Sequence, residues 1–281
     1  MNGFNKVSLS QYIVVFICWS VCFQLTSVQA LEVEDGLVLY WNFEQVKGKT
    51  VKDEIGKFDG KIKDSDLKAV PSKNGLGKAL KFDGKGYVHI DQKDVIDFGN
   101  KDGYSVALWL KSSENHKAIF SYGNGGQWEE HEKEMYIAKA GEPGSEGPNT
   151  GPVEIVGWGC DWIRGAKADE VDDDKWHHVA VTWNAKDKEG FIYTDGKEGT
   201  FEVGYNGCPD NKGNTLRLGF SESMFHSEPF LGLMDEVRFY NRPLTDKEVK
   251  TVMDDVRLGV KTAVEGADKL TLAWATIKTH Q

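Results

Sequence analysis

The sequence has no surplus of positive charge. Its 281 residues carry 34 Lys+Arg against 44 Asp+Glu, a formal net charge of −10. No segment forms a basic stripe, and binding a phosphate backbone needs one to release counterions. Nucleic acid is therefore excluded as a partner. Long apolar runs are also missing. The longest, Tyr12 to Phe23, holds about 12 residues where a bilayer span needs roughly 20. Only 7 prolines are present, and 40% of residues are apolar, so wholesale disorder is excluded too. A chain of this size is expected to form one large β domain or two small ones.

The first thirty residues differ in kind from the rest. Lys6 is their only charge, the apolar run follows, and Val28-Gln29-Ala30 supplies small residues for cleavage. This pattern predicts a secretory signal peptide over 1–30, cut after Ala30; an uncleaved N-terminal anchor is the alternative. No second long apolar stretch exists, so the expected mature chain is exported, secreted or periplasmic, with no transmembrane segment. Cleavage removes Cys18 and Cys22 and leaves Cys160 and Cys208. Thiols oxidise outside the cytosol, which favours one Cys160–Cys208 disulfide over a free buried pair.

From Gly36 to about Tyr240, short apolar segments alternate with Gly, Asn and Asp turns. Lys78 to Phe82 and Tyr87 to Ile90 flank Asp83-Gly84-Lys85-Gly86, a hairpin signature. In the segment 176–183, His177, Val179, Val181 and Trp183 share the face expected to pack inward, while His178 shares the other face with Ala180 and Thr182. Both histidines are read as packed or hydrogen-bonded strand residues, since no third metal ligand sits at a recognisable spacing. Many short strands with turns every 8–15 residues predict a two-sheet β-sandwich. One helix is expected after Thr245-Asp-Lys-Glu248, a capping box followed by Val249, Val252, Met253 and Val256 at helical spacing, with Gly259 as its stop. The segment 270–277 reads equally as a further strand or a docked tail. Residues 123–152 and 166–175 read as long loops, where binding usually resides.

Trp176-His-His-Val-Ala-Val-Thr-Trp183 followed by Phe191-Ile-Tyr-Thr-Asp-Gly-Lys197 resembles the centre of laminin-G-like domains of the concanavalin A-like lectin/glucanase superfamily. Gly36 to Glu44, Asp53 with Gly56, Ala79 to Gly84, Tyr87-Val88 and Phe230 to Thr245 are similar to its other blocks, in order over about 35–256. The resemblance implies an all-β fold: a two-sheet antiparallel jelly-roll sandwich over 31–245, with one short C-terminal helix and a tail over 246–281. It also implies calcium as a structural cofactor, with Asp235, Glu44 and Asp53 as the carried-over ligands. A hard cation there would join the chain ends through carboxylate and carbonyl oxygens.

Catalytic signatures are absent. The superfamily's glucanase strand, Glu-x-Asp-x-x-Glu, does not occur, and neither do a nucleophile elbow, a zinc His pair or a phosphate loop. The acidic run Glu170-Val-Asp-Asp-Asp174 reads as a solvated turn. Sugars stack their C–H faces on aromatic rings, and Trp128, Tyr136, Trp158 and Trp162 cluster around Cys160 as candidate ligand-binding residues; packing beneath the long loop is their other reading. The leading expectation is a non-catalytic exported module that binds a glycan or an extracellular protein, of unspecified oligomeric state. The alternatives are a glycan-active hydrolase or lyase using Glu132, Glu134 or Asp161, and an adhesion or scaffold protein.

Overall fold

The computed structural model describes residues 33–73, 77–98, 101–124, 133–139, 151–157, 161–167, 169–205, 213–221 and 228–254. Gly36–Val256 forms one compact unit. A second unit, Met1–Asp35 with Arg257–Gln281, lies almost wholly outside the described residues. The expected signal peptide, Gly259 and the 270–277 segment fall there.

Two antiparallel sheets form the sandwich. Sheet A runs β15 (Lys197–Glu198), β14 (Glu189–Thr194), β13 (His177–Asn184), β8 (Gly103–Lys111), β18 (Leu231–Tyr240), β6 (Lys78–Asp83), β5 (Lys68–Pro71), and β1 (Leu37–Trp41) also pairs with β18. Sheet B runs β16 (Thr200–Tyr205), β12 (Asp161–Lys167), β11 (Val153–Gly157), β10 (Lys133–Ile137), β9 (Lys117–Gly123), β17 (Thr215–Leu218), β7 (Tyr87–His89), β4 (Gly60–Lys63), β3 (Thr50–Val51), β2 (Val46–Lys47). This is a jelly roll, and a helix, α1 (Asp246–Asp254), follows the strand Leu231–Tyr240.

Alternation builds the core between the sheets. In β13, Val179, Val181 and Trp183 point inward as the period of two requires. Across sheet B, Ile163, Ile155, Met135, Phe120, Leu218, Val88 and Ile62 lie in one unbroken register row, and all are core residues. Full burial of such a side chain contributes roughly 1.5–3 kcal/mol. Phe82 occupies the space where a side chain at residue 219 would lie: a Cβ there would meet its ring at 2.5 Å, so that position is Gly219.

One expected hairpin is instead a crossover. The Asp83 carboxylate accepts the Lys85 and Gly86 amides, and Gly84 has positive φ, as a tight turn requires. Yet β6 pairs in sheet A and β7 in sheet B. The same local turn chemistry serves either connection, and the long-range partners of each strand decide between them. The helix starts where expected. The Glu248 carboxylate accepts the Thr245 amide at 2.8 Å, and the Thr245 hydroxyl accepts the Glu248 amide at 3.3 Å. Buried Val249 and Val252 dock α1 within the sandwich unit, so the helix belongs to the Gly36–Val256 body.

Candidate functional site

The face of sheet B turned away from the core carries a register row that is polar from Glu134 to Lys61. Register pairing runs from Gly204 through Trp162, Val156, Glu134, Ser121, Arg217 and His89 to Lys61, one position per strand over eight strands. It is the outward counterpart of the apolar row described above. Because side chains alternate across a strand, the polar residues face out wherever the apolar ones face in. A second outward pair lies beside it: Tyr136 opposite Glu154, with the Tyr136 hydroxyl donating to the Glu154 carboxylate at 2.7 Å.

The middle of this row is covered and its end is open. Glu134 and Ser121 are inaccessible, and Tyr136, Glu154 and Arg217 nearly so. Arg217 donates to the Gly123 carbonyl at 3.4 Å, and the Thr215 hydroxyl reaches the same oxygen at 3.3 Å. The Ser121 hydroxyl is buried with no hydrogen-bond partner among the described residues. Leaving such a group unpaired costs about 1–3 kcal/mol. At the other end, His89, Lys61 and Lys63 are half-buried, and the Lys61 ammonium donates to the Thr50 hydroxyl at 2.9 Å. Tyr87, two residues before His89 and on the same face, stacks on Phe220 with ring centres 4.9 Å apart and planes 21° apart. Both rings are half-exposed.

A half-open aromatic pair beside the half-buried His89, Lys61 and Lys63 can hold a polyhydroxylated ligand. One apolar face rests on the rings while hydroxyls pair with the histidine and lysines. Glu134 and Glu154 sit diagonally on neighbouring strands, a placement that separates Cα atoms by about 7–8 Å.

Of the residues singled out from sequence, Tyr136 lies on this face but is 2% exposed and committed to Glu154, so its ring is no open platform. Trp162 occupies a register position in the same row through its backbone. Asp161 is the neighbouring position in β12, paired with Tyr205. Trp128, Glu132, Trp158, Cys160 and Cys208 lie outside the described residues, and with them the expected disulfide. Tyr87, His89 and Phe220 were not singled out as site residues. Their signal was the alternation in Tyr87-Val88-His89, which places both rings opposite the apolar Val88.

The carboxylates expected to hold calcium are otherwise engaged. Asp53 is fully buried and accepts the backbone amides of Tyr40, Ile55, Lys57 and Phe58 at 2.9–3.1 Å. Glu44 accepts the Lys78 amide at 2.9 Å. Asp235 accepts the Glu236 amide at 2.8 Å and the Ser72 hydroxyl. Among the described residues no three His, Cys, Asp or Glu side chains are grouped to hold a metal. Asp53, its oxygens filled by four amides, does not fit a cation ligand.

A family model, Laminin_G_3 of the concanavalin A-like lectin/glucanases superfamily, matches residues 82–250, more than half of the chain. The chain belongs to this superfamily. Domain 4 of AbnA, an extracellular arabinanase from Geobacillus stearothermophilus solved in complex with arabinotriose, is similar in fold. Its TM-score is 0.56 at 21% identity, covering 77% of this chain and 98% of that one. The binding domain of Paraclostridial Mosquitocidal Protein 1 matches with TM-score 0.50 and 12% identity, over 79% of this chain and 52% of the other. A botulinum neurotoxin type C structure, whose cell entry depends on two ganglioside molecules, matches with TM-score 0.50 and 13% identity, over 80% and 53%. At these identities the likeness is one of fold. Among the described residues, no helix of this laminin-G-like chain is long and apolar enough to cross a membrane.

Proposed function

We propose that the chain, after loss of residues 1–30, is an exported non-catalytic module that binds a carbohydrate on the outer face of sheet B. The observation that carries this reading is the half-exposed Tyr87–Phe220 stack at the open end of the Arg217–His89–Lys61 row. Two structures of similar fold support it, one holding arabinotriose and one of a neurotoxin whose cell entry depends on interaction with two ganglioside molecules. Fold alone does not decide function, so the claim rests on the site.

The test is a glycan-array screen of residues 31–281, with Tyr87→Ala and Phe220→Ala beside the parent. Loss of one ring is expected to cost ~1–3 kcal/mol, by analogy with other aromatic stacking platforms, so each substitution should weaken binding about fivefold or more. Unchanged binding in both variants would overturn the assignment of this face. A blank array with a folded protein would move the reading to an extracellular protein partner.

One observation favours a second reading. Glu134 and Glu154 lie diagonally on one face of neighbouring strands, and glycosidases work through such a pair of carboxylic acids. A glycan-active enzyme would release reducing ends from array-positive polysaccharides and lose that activity in Glu134→Gln and Glu154→Gln.

A further inference from the structure

The outer face of sheet A, opposite the site described above, holds a pocket of about 400 Å³. This is within the size range of small-ligand sites. Val70, Leu231 and Leu233 form its aliphatic wall, and Leu231, 39% exposed, is the one exposed large apolar side chain among the described residues. The charged groups of the lining are Lys81 on one side and Lys111 with Asp174 on the other.

Register sets the spacing of the two sides. Lys81, Leu233 and Lys111 lie in one outward row across β6, β18 and β8. Adjacent strands lie about 4.7–4.9 Å apart, so the Lys81 and Lys111 backbones are separated by about 10 Å with Leu233 between them. The two sides differ in charge. Exposed Lys81 has no carboxylate in ion-pair reach among the described residues. Lys111 meets one Asp174 carboxylate oxygen at 3.4 Å, and the other Asp174 oxygen has no partner among the described residues. The Asp174 backbone is anchored beside the pocket, its amide donating to the Ser112 carbonyl at 2.8 Å. The lining thus holds an open cation at one end, an open acceptor at the other and an aliphatic wall between. A ligand of one charge sign matches only one end.

We propose that this pocket binds a short peptide with both termini free and an aliphatic side chain. The peptide carboxylate pairs with the Lys81 ammonium, its terminal ammonium with the open Asp174 oxygen, and its side chain rests on the Leu231–Leu233–Val70 wall. An extended residue spans at most about 3.3–3.6 Å, so a dipeptide or tripeptide matches the spacing of the two ends. Each exposed ion pair is weak alone, and selectivity comes from meeting both ends and the wall together. The site does not depend on the sheet B reading and is tested separately from it.

The experiment is an NMR titration of residues 31–281 with leucyl-leucine. N-acetyl-leucyl-leucine, leucyl-leucine amide and glycyl-glycine serve as comparisons, each lacking one of the three recognised features. Saturable shifts are expected with leucyl-leucine, centred on Lys81, Asp174 and Leu231 and weakening as salt is added. Blocking either terminus should weaken binding about threefold or more, and glycyl-glycine should bind more weakly still. Asp174→Asn, which keeps a residue type that tolerates the positive φ of this position, should remove the preference for a free amino terminus. Lys81→Glu should turn the preference from the free carboxylate to the amide, and Tyr87→Ala should leave both preferences intact. Three results would overturn the proposal. They are no saturable shift with leucyl-leucine, binding of any comparison peptide as tight as that of leucyl-leucine, and unchanged preferences in both pocket variants.

Discussion

The Tyr40 hydroxyl donates a buried hydrogen bond to the Glu236 carboxylate although 196 residues separate them in the chain. Arg238 completes the unit, 3.0 Å from Glu236 and 3.2 Å from the Tyr40 hydroxyl, and its other nitrogen reaches the Val252 carbonyl of α1 at 3.2 Å. First strand, last strand and helix are thereby joined by groups each no more than 5% exposed. Burial raises the Tyr40 pKa far beyond its usual range, so the phenol stays a donor at all working pH values.

Breaking such a pair from one side leaves a buried charge. Arg238→Met is expected to cost about 3–5 kcal/mol in urea unfolding, because Glu236 loses its cation. Adding Glu236→Met should recover most of that loss. Equal stability of the single and double variants would show that the charges are not coupled.

Asp53 makes a parallel prediction with a different chemistry. Its carboxylate terminates four amides, at Tyr40, Ile55, Lys57 and Phe58. Asp53→Ala orphans those donors, at about 1–3 kcal/mol for each one left buried, so a loss of at least ~3 kcal/mol is expected. The loss should be the same in EDTA and in millimolar calcium. A calcium-dependent difference between parent and variant would instead make Asp53 part of a cation site.

Local rules carried much of this fold into the sequence. The alternation in 176–183 placed Val179, Val181 and Trp183 inward, and the Thr245–Glu248 box located the helix start, since both depend on near neighbours. Pairing partners were not legible in the same way. Asp83 to Gly86 has the chemistry of a hairpin, yet the strands it links belong to opposite sheets. The outward row of sheet B draws on eight segments between Lys61 and Arg217, and no local pattern announces which of them align. Aromatic content pointed toward tryptophans in the long insertion, whereas the open stack of the described face comes from Tyr87 and Phe220.

Lys133 gives a pH prediction of definite sign. It lies on the inward side of β10, opposite core Tyr122 and with its ammonium 5.6 Å from the Tyr104 ring centre. Burial pushes its pKa down to about 7. The unfolded lysine, near 10.4, binds more protons between these values, so this group makes stability rise from about pH 7 to pH 10. Lys133→Met should abolish that slope and raise stability at pH 7 by about 2 kcal/mol, some 4–8 °C in Tm for a domain of this size. A variant less stable than the parent at pH 7, with the slope retained, would refute the assignment.

The pair His177 and Asp173 predicts a stability plateau at lower pH. His177 holds Asp173 at Nε2 and Asp195 at Nδ1, each at 2.9 Å. Burial opposes its charge, but the bonds to the two carboxylates outweigh it and its pKa is raised. Burial likewise works against the Asp173 anion, yet hydrogen bonds from Lys175 and His177 hold its pKa down to about 2. A raised histidine stabilises fully below its unfolded value near 6.5 and loses that contribution as pH climbs through its folded value. A depressed aspartate stabilises above its unfolded value near 3.9 and loses it as pH falls toward 2. Together they support the start of β13 between about pH 4 and 6.5. The groups are partly exposed, so the gain is about 1 kcal/mol. Urea unfolding of His177→Gln across pH 3–9 should show that gain missing inside the window and little difference above pH 8; a uniform offset at every pH would mean that the histidine acts through packing and not through its charge.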